Sequence, residues 1–415
     1  MPSSLRSVLL VAWALAACAP ARTLGPDETE PVRIGVVLAL SGDLGGPGSH
    51  RRDAVALAAR EMQSAGGVLP GRGVELVIGD SESDPDIAVG VARDVVARRV
   101  AGLIGDSGSS NSLAIYQGVT QPAGVIQASG SSSSSRLTEV QRALDPNDRW
   151  FYRTVPSDSA QAPILADAMN QRGCARPALA YVDNDYGVPF QQALRAALTG
   201  TVAAAVAMTD GRADYSAEAR MLAAANPDCI AVVAYPGSGG RLLRAWSLLS
   251  MRPTVRFFGT DALRQEAFVT EAGDPAILDG FLGTASITDP SSPSYNQFAR
   301  AYEATFSRSP STYDANFYDA AAVLMLAIAM AGSTDSTLVR EALPRVSDST
   351  GTVVYAGDLA GGLRLIRRGR PINYEGASGP ITFDEFGDVQ GVFEVWEFEA
   401  STRMFNRIDT ILPPS

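Results

Sequence analysis

The sequence has no lysine: all 34 of its basic residues are arginine, and it has a single histidine, His50. Without lysine there is no Schiff-base amine and no P-loop lysine. One histidine excludes a histidine-rich zinc centre, and three cysteines make a poor one, so no metal and no cofactor is expected. Any chemistry that needs a positioned imidazole must pass through His50. Basic runs are also missing. With 45 acidic residues and a net charge of −11, nucleic acid is not the expected partner. What the chain does have is length and apolar content. Its 415 residues, 46% of them hydrophobic, suffice for two or three packed domains rather than a disordered chain.

The N-terminus reads as an address. Arg6 gives a positive start, and Val8–Ala17 (VLLVAWALAA) is an apolar run too short for a bilayer core that needs ~20 residues. It has the form of a signal-peptide core, so residues 1–17 are expected to be removed. Leu15-Ala16-Ala17-Cys18 resembles the lipobox of bacterial lipoproteins, in which the cysteine carries the lipid and becomes the mature N-terminus. The proline-rich, aperiodic stretch at residues 18–31 is then a lipid-anchored tether. These features place the protein outside the cytoplasm, anchored to a bacterial membrane through Cys18. Cys174 and Cys229 remain. Each lies just before a strand-like run (Ala178–Val182 and Ile230–Ala234), and an oxidising compartment favours a bridge between them over two buried free thiols.

Hydrophobic period predicts an α/β protein. Val32–Leu40 is an apolar strand of the kind buried on both faces. A glycine-rich turn (Ser41–Gly48), a helix over Asp53–Ala65, a strand at Val74–Gly79, a helix at Asp86–Arg99 and strands at Val100–Ile104 and Gly124–Ala128 follow. The alternation restarts at Ala178–Val182 and runs to a strand at Arg256–Gly259. Helices over Tyr295–Phe306, Ala315–Ala331 and Ser336–Leu343 come later, and Gly379–Phe383 with Val389–Phe398 alternates like a hairpin. Such alternation makes doubly wound parallel sheets, which bind ligands at the carboxyl ends of their strands. The loops to inspect follow Leu40, Ile104, Ala128, Val182, Ala234 and Gly259.

Seven stretches in order resemble the type I periplasmic binding proteins, in their branched-chain amino acid branch of ABC-transporter substrate-binding proteins. They are IGVVLALSG (Ile34–Gly42), SAGGVLPGRGVELVIGDSESDP (Ser64–Pro85), GLIGDSGSS (Gly102–Ser110), FYRTVPSD (Phe151–Asp158), YVDNDYG (Tyr181–Gly187), FFGTD (Phe257–Asp261) and YEGASGPITFDEFGD (Tyr374–Asp388). The resemblance implies two Rossmann-like lobes with parallel sheets, joined by a three-crossover hinge. Lobe one would be residues 32–152 with about 285–372, and lobe two 153–284 with about 373–412. It implies binding without catalysis: an aliphatic amino acid, or a close analogue such as an amide, captured between the lobes and handed to a membrane permease.

A free amino acid needs donors for its carboxylate and an acid for its ammonium. By the resemblance, Ser109 and Ser110 offer the first donors, and the turn after the fourth strand offers Gly130 and Ser131. That turn runs into five serines, Ser131–Ser135, which can alternatively be read as a flexible linker. Asp261 matches the acid that pairs with the amine, or else caps the next helix. Tyr186 and Tyr235 match tyrosines of the opposite wall. Tyr318 either approaches from the hinge side or packs in a core. The turn Gly45-Gly46-Pro47-Gly48 lacks the aromatic that the branch often places beside its ligand, so ligand identity does not carry over.

Two other readings compete. A receptor of the same fold would bind a ligand without transporting it. The segment GDSGS (Gly105–Ser109), preceded by His50, also resembles the nucleophile segment of trypsin-like proteases, which would use Ser107 and His50. The parallel α/β pattern, in place of a β-barrel, argues against that enzyme.

Overall fold

The computed structural model of the chain describes residues 30–411. The expected leader, Cys18 and most of the tether lie outside the described residues.

β1 (Val32–Leu38), β2 (Val74–Asp80), β3 (Leu103–Gly105), β4 (Gln127–Ser129) and β5 (Phe151–Arg153) form one sheet in the order β2-β1-β3-β4-β5. Every pairing is parallel, which requires a crossover between successive strands, and helices such as Gly48–Ser64 and Pro85–Ala97 supply them. β6 (Pro177–Val182), β7 (Ala204–Met208), β8 (Cys229–Val233), β9 (Arg256–Gly259) and β10 (Leu282–Ser286) build the second lobe in the same way. β11 (Thr352–Tyr355) and β12 (Ile372–Glu375) form a small separate pair. β13 (Phe393–Glu399) and β14 (Met404–Ile411) are an antiparallel hairpin on the edge of the second sheet, beside β10.

The chain therefore changes sheets after β5, after β10 and before β13. The last crossing is later than residue 373, because Tyr374, Ala377, Ile381 and Val389 pack in the core of the first lobe. The helix Asp314–Ala331 is apolar enough to cross a bilayer, but it is the centre of that core, with every residue from Asp314 to Ile328 buried. The tail hairpin also differs from its expected position. Residues 379–383 form no strand, since Gly379 has φ 130° and Pro380 lacks a backbone N–H. The alternation that forms the hairpin is that of β13 with β14.

Cys174 and Cys229 form a disulfide, with their Cα atoms 5.7 Å apart. β6 and β8 are parallel neighbours with Pro177 opposite Cys229, so both thiols arrive at the amino ends of these strands. The bridge sits at the end of the sheet away from the carboxyl-end loops.

Candidate functional site

The carboxyl-end loops of both sheets meet, and the side chains where they meet are buried. The first-lobe wall is built on β3 and β4. After β3, Asp106 folds back and its carboxylate accepts from the Ser107 and Gly108 N–H groups, which turns the chain into the helix starting at Ser109. After β4, Ser129 and Ser132 donate their hydroxyls to the Asp106 carbonyl, and Ser131 donates to the Ser107 carbonyl at 2.8 Å. The serine run is thus a fixed loop and not a linker. Its carbonyls at Ser132 and Ser134 accept from the guanidinium of Arg153, which is fully buried and paired with Asp388 at 2.7 Å.

The second-lobe wall is aromatic and acidic. Tyr186 stacks on Tyr235 with ring centres 5.3 Å apart and donates to the Thr260 hydroxyl at 2.7 Å. Asp261 opens the short turn after β9 and is 3% exposed; the Tyr313 hydroxyl donates to one of its oxygens, and the other has no partner. Asp158, at the start of the helix Asp158–Gln171, is 1% exposed and neither of its oxygens has a partner. Burial, more than any other cause, pushes the Asp261 carboxyl up to about 6. Burial first, and then the negative charge of Asp261, holds Asp158 well above the usual carboxylate range. A buried acid pair short of partners is complementary to an ammonium.

Leu44, Arg51, Ser107, Ser109, Ser133 and Tyr313 from the first lobe and Tyr186, Tyr235 and Asp261 from the second surround one small space of about 20 Å³. In this closed form it has room for about one water molecule, so a ligand the size of an amino acid needs the walls to move apart. The Ser107 hydroxyl faces it without a partner. Larger concavities occur at the amino-end side of the second sheet, beside Arg172 and Arg256, and where the chain crosses between lobes, beside Thr154, Ser286 and Phe383. The lobes are closed over the space. The Asp185 N–H donates to the Ser110 hydroxyl at 3.2 Å, the Thr312 hydroxyl donates to the Arg264 carbonyl at 3.0 Å, and Leu44 packs in the second lobe's core.

The family described as periplasmic binding protein matches residues 31–367. The chain belongs to this family. It is similar to a chemotactic signal transduction system substrate-binding protein of Halobacterium salinarum, at 28% identity over 85% of this chain and 83% of that protein. It is also similar to a leucine-, isoleucine-, valine-, threonine- and alanine-binding protein of Pseudomonas aeruginosa, at 24% identity over 88% and 90%. A leucine binding protein of Thermotoga maritima shares the fold, with a TM-score of 0.76 at 23% identity over 92% of this chain and 99% of that one. Membership implies an extracytoplasmic location, and these relatives are named as binding proteins.

This periplasmic binding protein brings Ser109, Ser131, Tyr186, Tyr235 and Asp261 together around the cleft. Ser110 lies beside it, holding the other lobe through Asp185. Gly130 is not among the residues lining the cleft. A Cβ there would stand 2.8 Å from the Phe317 ring, so glycine lets that ring approach. Tyr318 is corrected outright: it is fully buried in the first-lobe core, donates to Glu61 at 2.8 Å and accepts from the Gly357 N–H, because it faces inward from the buried helix Asp314–Ala331. The protease reading fails on geometry. His50 stacks with Tyr302 and faces Asp314 at 3.4 Å, and the Ser107 hydroxyl has no partner.

Arg51, Tyr313, Asp158 and Leu44 were not anticipated. Arg51 had a readable signal. The helix starts at Gly48 rather than Asp53, and Arg51 extends the buried Val55, Ala58 and Met62 stripe by one turn. Tyr313 had none, since it sits at φ +71° before a helix, where no period operates.

Proposed function

We propose that this chain is the substrate-binding lipoprotein of an ABC importer, anchored outside the cytoplasm through Cys18, and that it captures a small amino-acid-like ligand between its lobes for delivery to a membrane permease. Aliphatic amino acids, branched-chain ones among them, and their amides are the ligand class considered. The observation that carries this is Asp261, buried with one oxygen unpartnered among the described residues and facing a hydroxyl-rich wall across one small cavity, with the buried acid Asp158 behind it. Open lobes admit the zwitterion. Its carboxylate docks on the Ser107–Ser109 and Ser131 side, and its ammonium meets Asp261 as Tyr186 and Tyr235 come over it. Closure removes water and so strengthens each charge contact.

Titration calorimetry with amino acids and amides tests the reading. Asp261→Ala is expected to weaken binding by ~2–5 kcal/mol, since a buried ammonium loses its partner. Unchanged affinity in that variant sinks the assignment. A sensing receptor is the second reading, favoured by the similarity to a chemotactic signal transduction protein. Ligand-dependent uptake into cells separates it from import.

A further inference from the structure

Arg51 stands in the cleft as a cation without an anion. It is 2% exposed, its Nε and Nη1 atoms have no hydrogen-bond partner among the described residues, and it lines the same cavity as Asp261. The rings of Tyr313 and Phe317 flank its guanidinium, each 5.7 Å from ring centre to Cζ. Asp106 and Asp314 act on it only through space, and desolvation lowers its pKa to about 10, so it remains charged at neutral pH. A buried guanidinium is costly unless its donors are used, and its planar fork matches the two oxygens of a carboxylate.

The rest of the cavity limits what that carboxylate belongs to. Among the described residues Leu44 and Ala262 are its only aliphatic lining residues, a poor cradle for a branched hydrocarbon side chain. One tyrosine sets the spacing of the charges: Tyr313 lies with its ring against Arg51 and its hydroxyl on Asp261. A ligand that answers both needs an amine and a free carboxylate joined by a short linker.

We propose that Arg51 anchors the free carboxylate of the ligand, and that the cleft selects short-chain amino acids and rejects their amides. This rests on the amino-acid reading above and narrows it. The carboxylate then bridges the Arg51 fork and the Ser107 hydroxyl, both on the first lobe, and the ammonium faces Asp261.

The test is calorimetric titration of the purified protein with glycine, L-alanine, L-leucine, β-alanine and γ-aminobutyrate, each paired with its amide. At least one short acid is expected to bind about 30-fold or more tightly than its amide, and L-leucine more weakly than that acid. In Arg51→Gln the acid-to-amide ratio should fall about tenfold or more. An amide that binds as well as its acid, L-leucine as the tightest ligand, or an unchanged ratio in Arg51→Gln overturns the proposal while leaving the amino-acid reading standing. Failure of every compound to bind overturns both. Should Arg51→Gln not fold, Arg51→Lys serves: it keeps the cation over the rings but loses the fork, and is expected to bind the acid about tenfold more weakly. Affinity equal to the unsubstituted protein in Arg51→Lys would mean that the residue only supports the fold.

Discussion

Two tyrosines five positions apart, Tyr313 and Tyr318, divide site from core. Tyr318→Phe leaves Glu61 without its 2.8 Å donor and should lower stability by ~1–3 kcal/mol with ligand affinity unchanged, as read by chemical unfolding and calorimetry. Ser109→Ala, in the cleft wall, should weaken ligand binding by ~1–3 kcal/mol in the same titration. Asp261 also gives the site a pH dependence. Its carboxyl is raised to about 6, with Tyr186, Tyr235, Tyr313 and Arg51 as the other titratable groups lining the cleft and the charge of buried Asp158 acting on it from behind. Below that pH the acid is neutral and cannot pair with an ammonium, so affinity for an amine ligand should rise from pH 5 to pH 7. The unliganded fold runs the other way. Because its folded-state pKa is raised, Asp261 favours folding below the ordinary aspartate range and loses that contribution as pH passes through about 6. Thermal unfolding with and without ligand reads both slopes. Asp261, Tyr186 and Tyr235 were reached through the family resemblance, and each also follows the carboxyl end of a recognisable strand. Sequence reasoning missed Asp158 because that acid heads a helix after a crossover, where no strand points to it.

At the level of elements, the apolar strands and helices were readable, short β3, β4 and β9 among them, but β5 and β11 were not. β5 and β11 are three and four residues long and carry no usable period. The serine run shows the same limit. Its composition matches a linker, yet Arg153, 21 residues from Ser132 and 19 from Ser134 in sequence, holds its carbonyls. Arg153→Met should therefore cost ~3–5 kcal/mol by stranding Asp388, and it should weaken ligand binding because Ser132 and Ser134 lose their donor. Urea unfolding and titration of the same variant read the two effects. The Cys174–Cys229 bridge closes a loop of 55 residues, so reduction should lower stability by up to ~4 kcal/mol in a chain-entropy account. The bridge lies away from the cleft, so the reduced protein should bind ligand with unchanged affinity while it remains folded.

On the scale of the whole molecule, the two sheets and three crossings make a hinge, and the contacts across the cleft describe its shut position. Asp43 and Arg241 face each other across it at 3.7 Å. Spin labels at residues 43 and 241 should show a broad distance distribution without ligand and a single short one with it. A distribution that ligand leaves unchanged would mean that the lobes do not open. The two-lobe plan was legible because it repeats an α/β rhythm twice. The last crossing was misplaced by the tail's alternation, which has a period but no strand until β13. The seal over the cleft has a kinetic consequence. No residue lining the chamber is more than 9% exposed, so nothing enters or leaves in this form. Escape can be no faster than the lobes part, and for tightly held molecules the residence time becomes a clock for the hinge and no longer a measure of the grip.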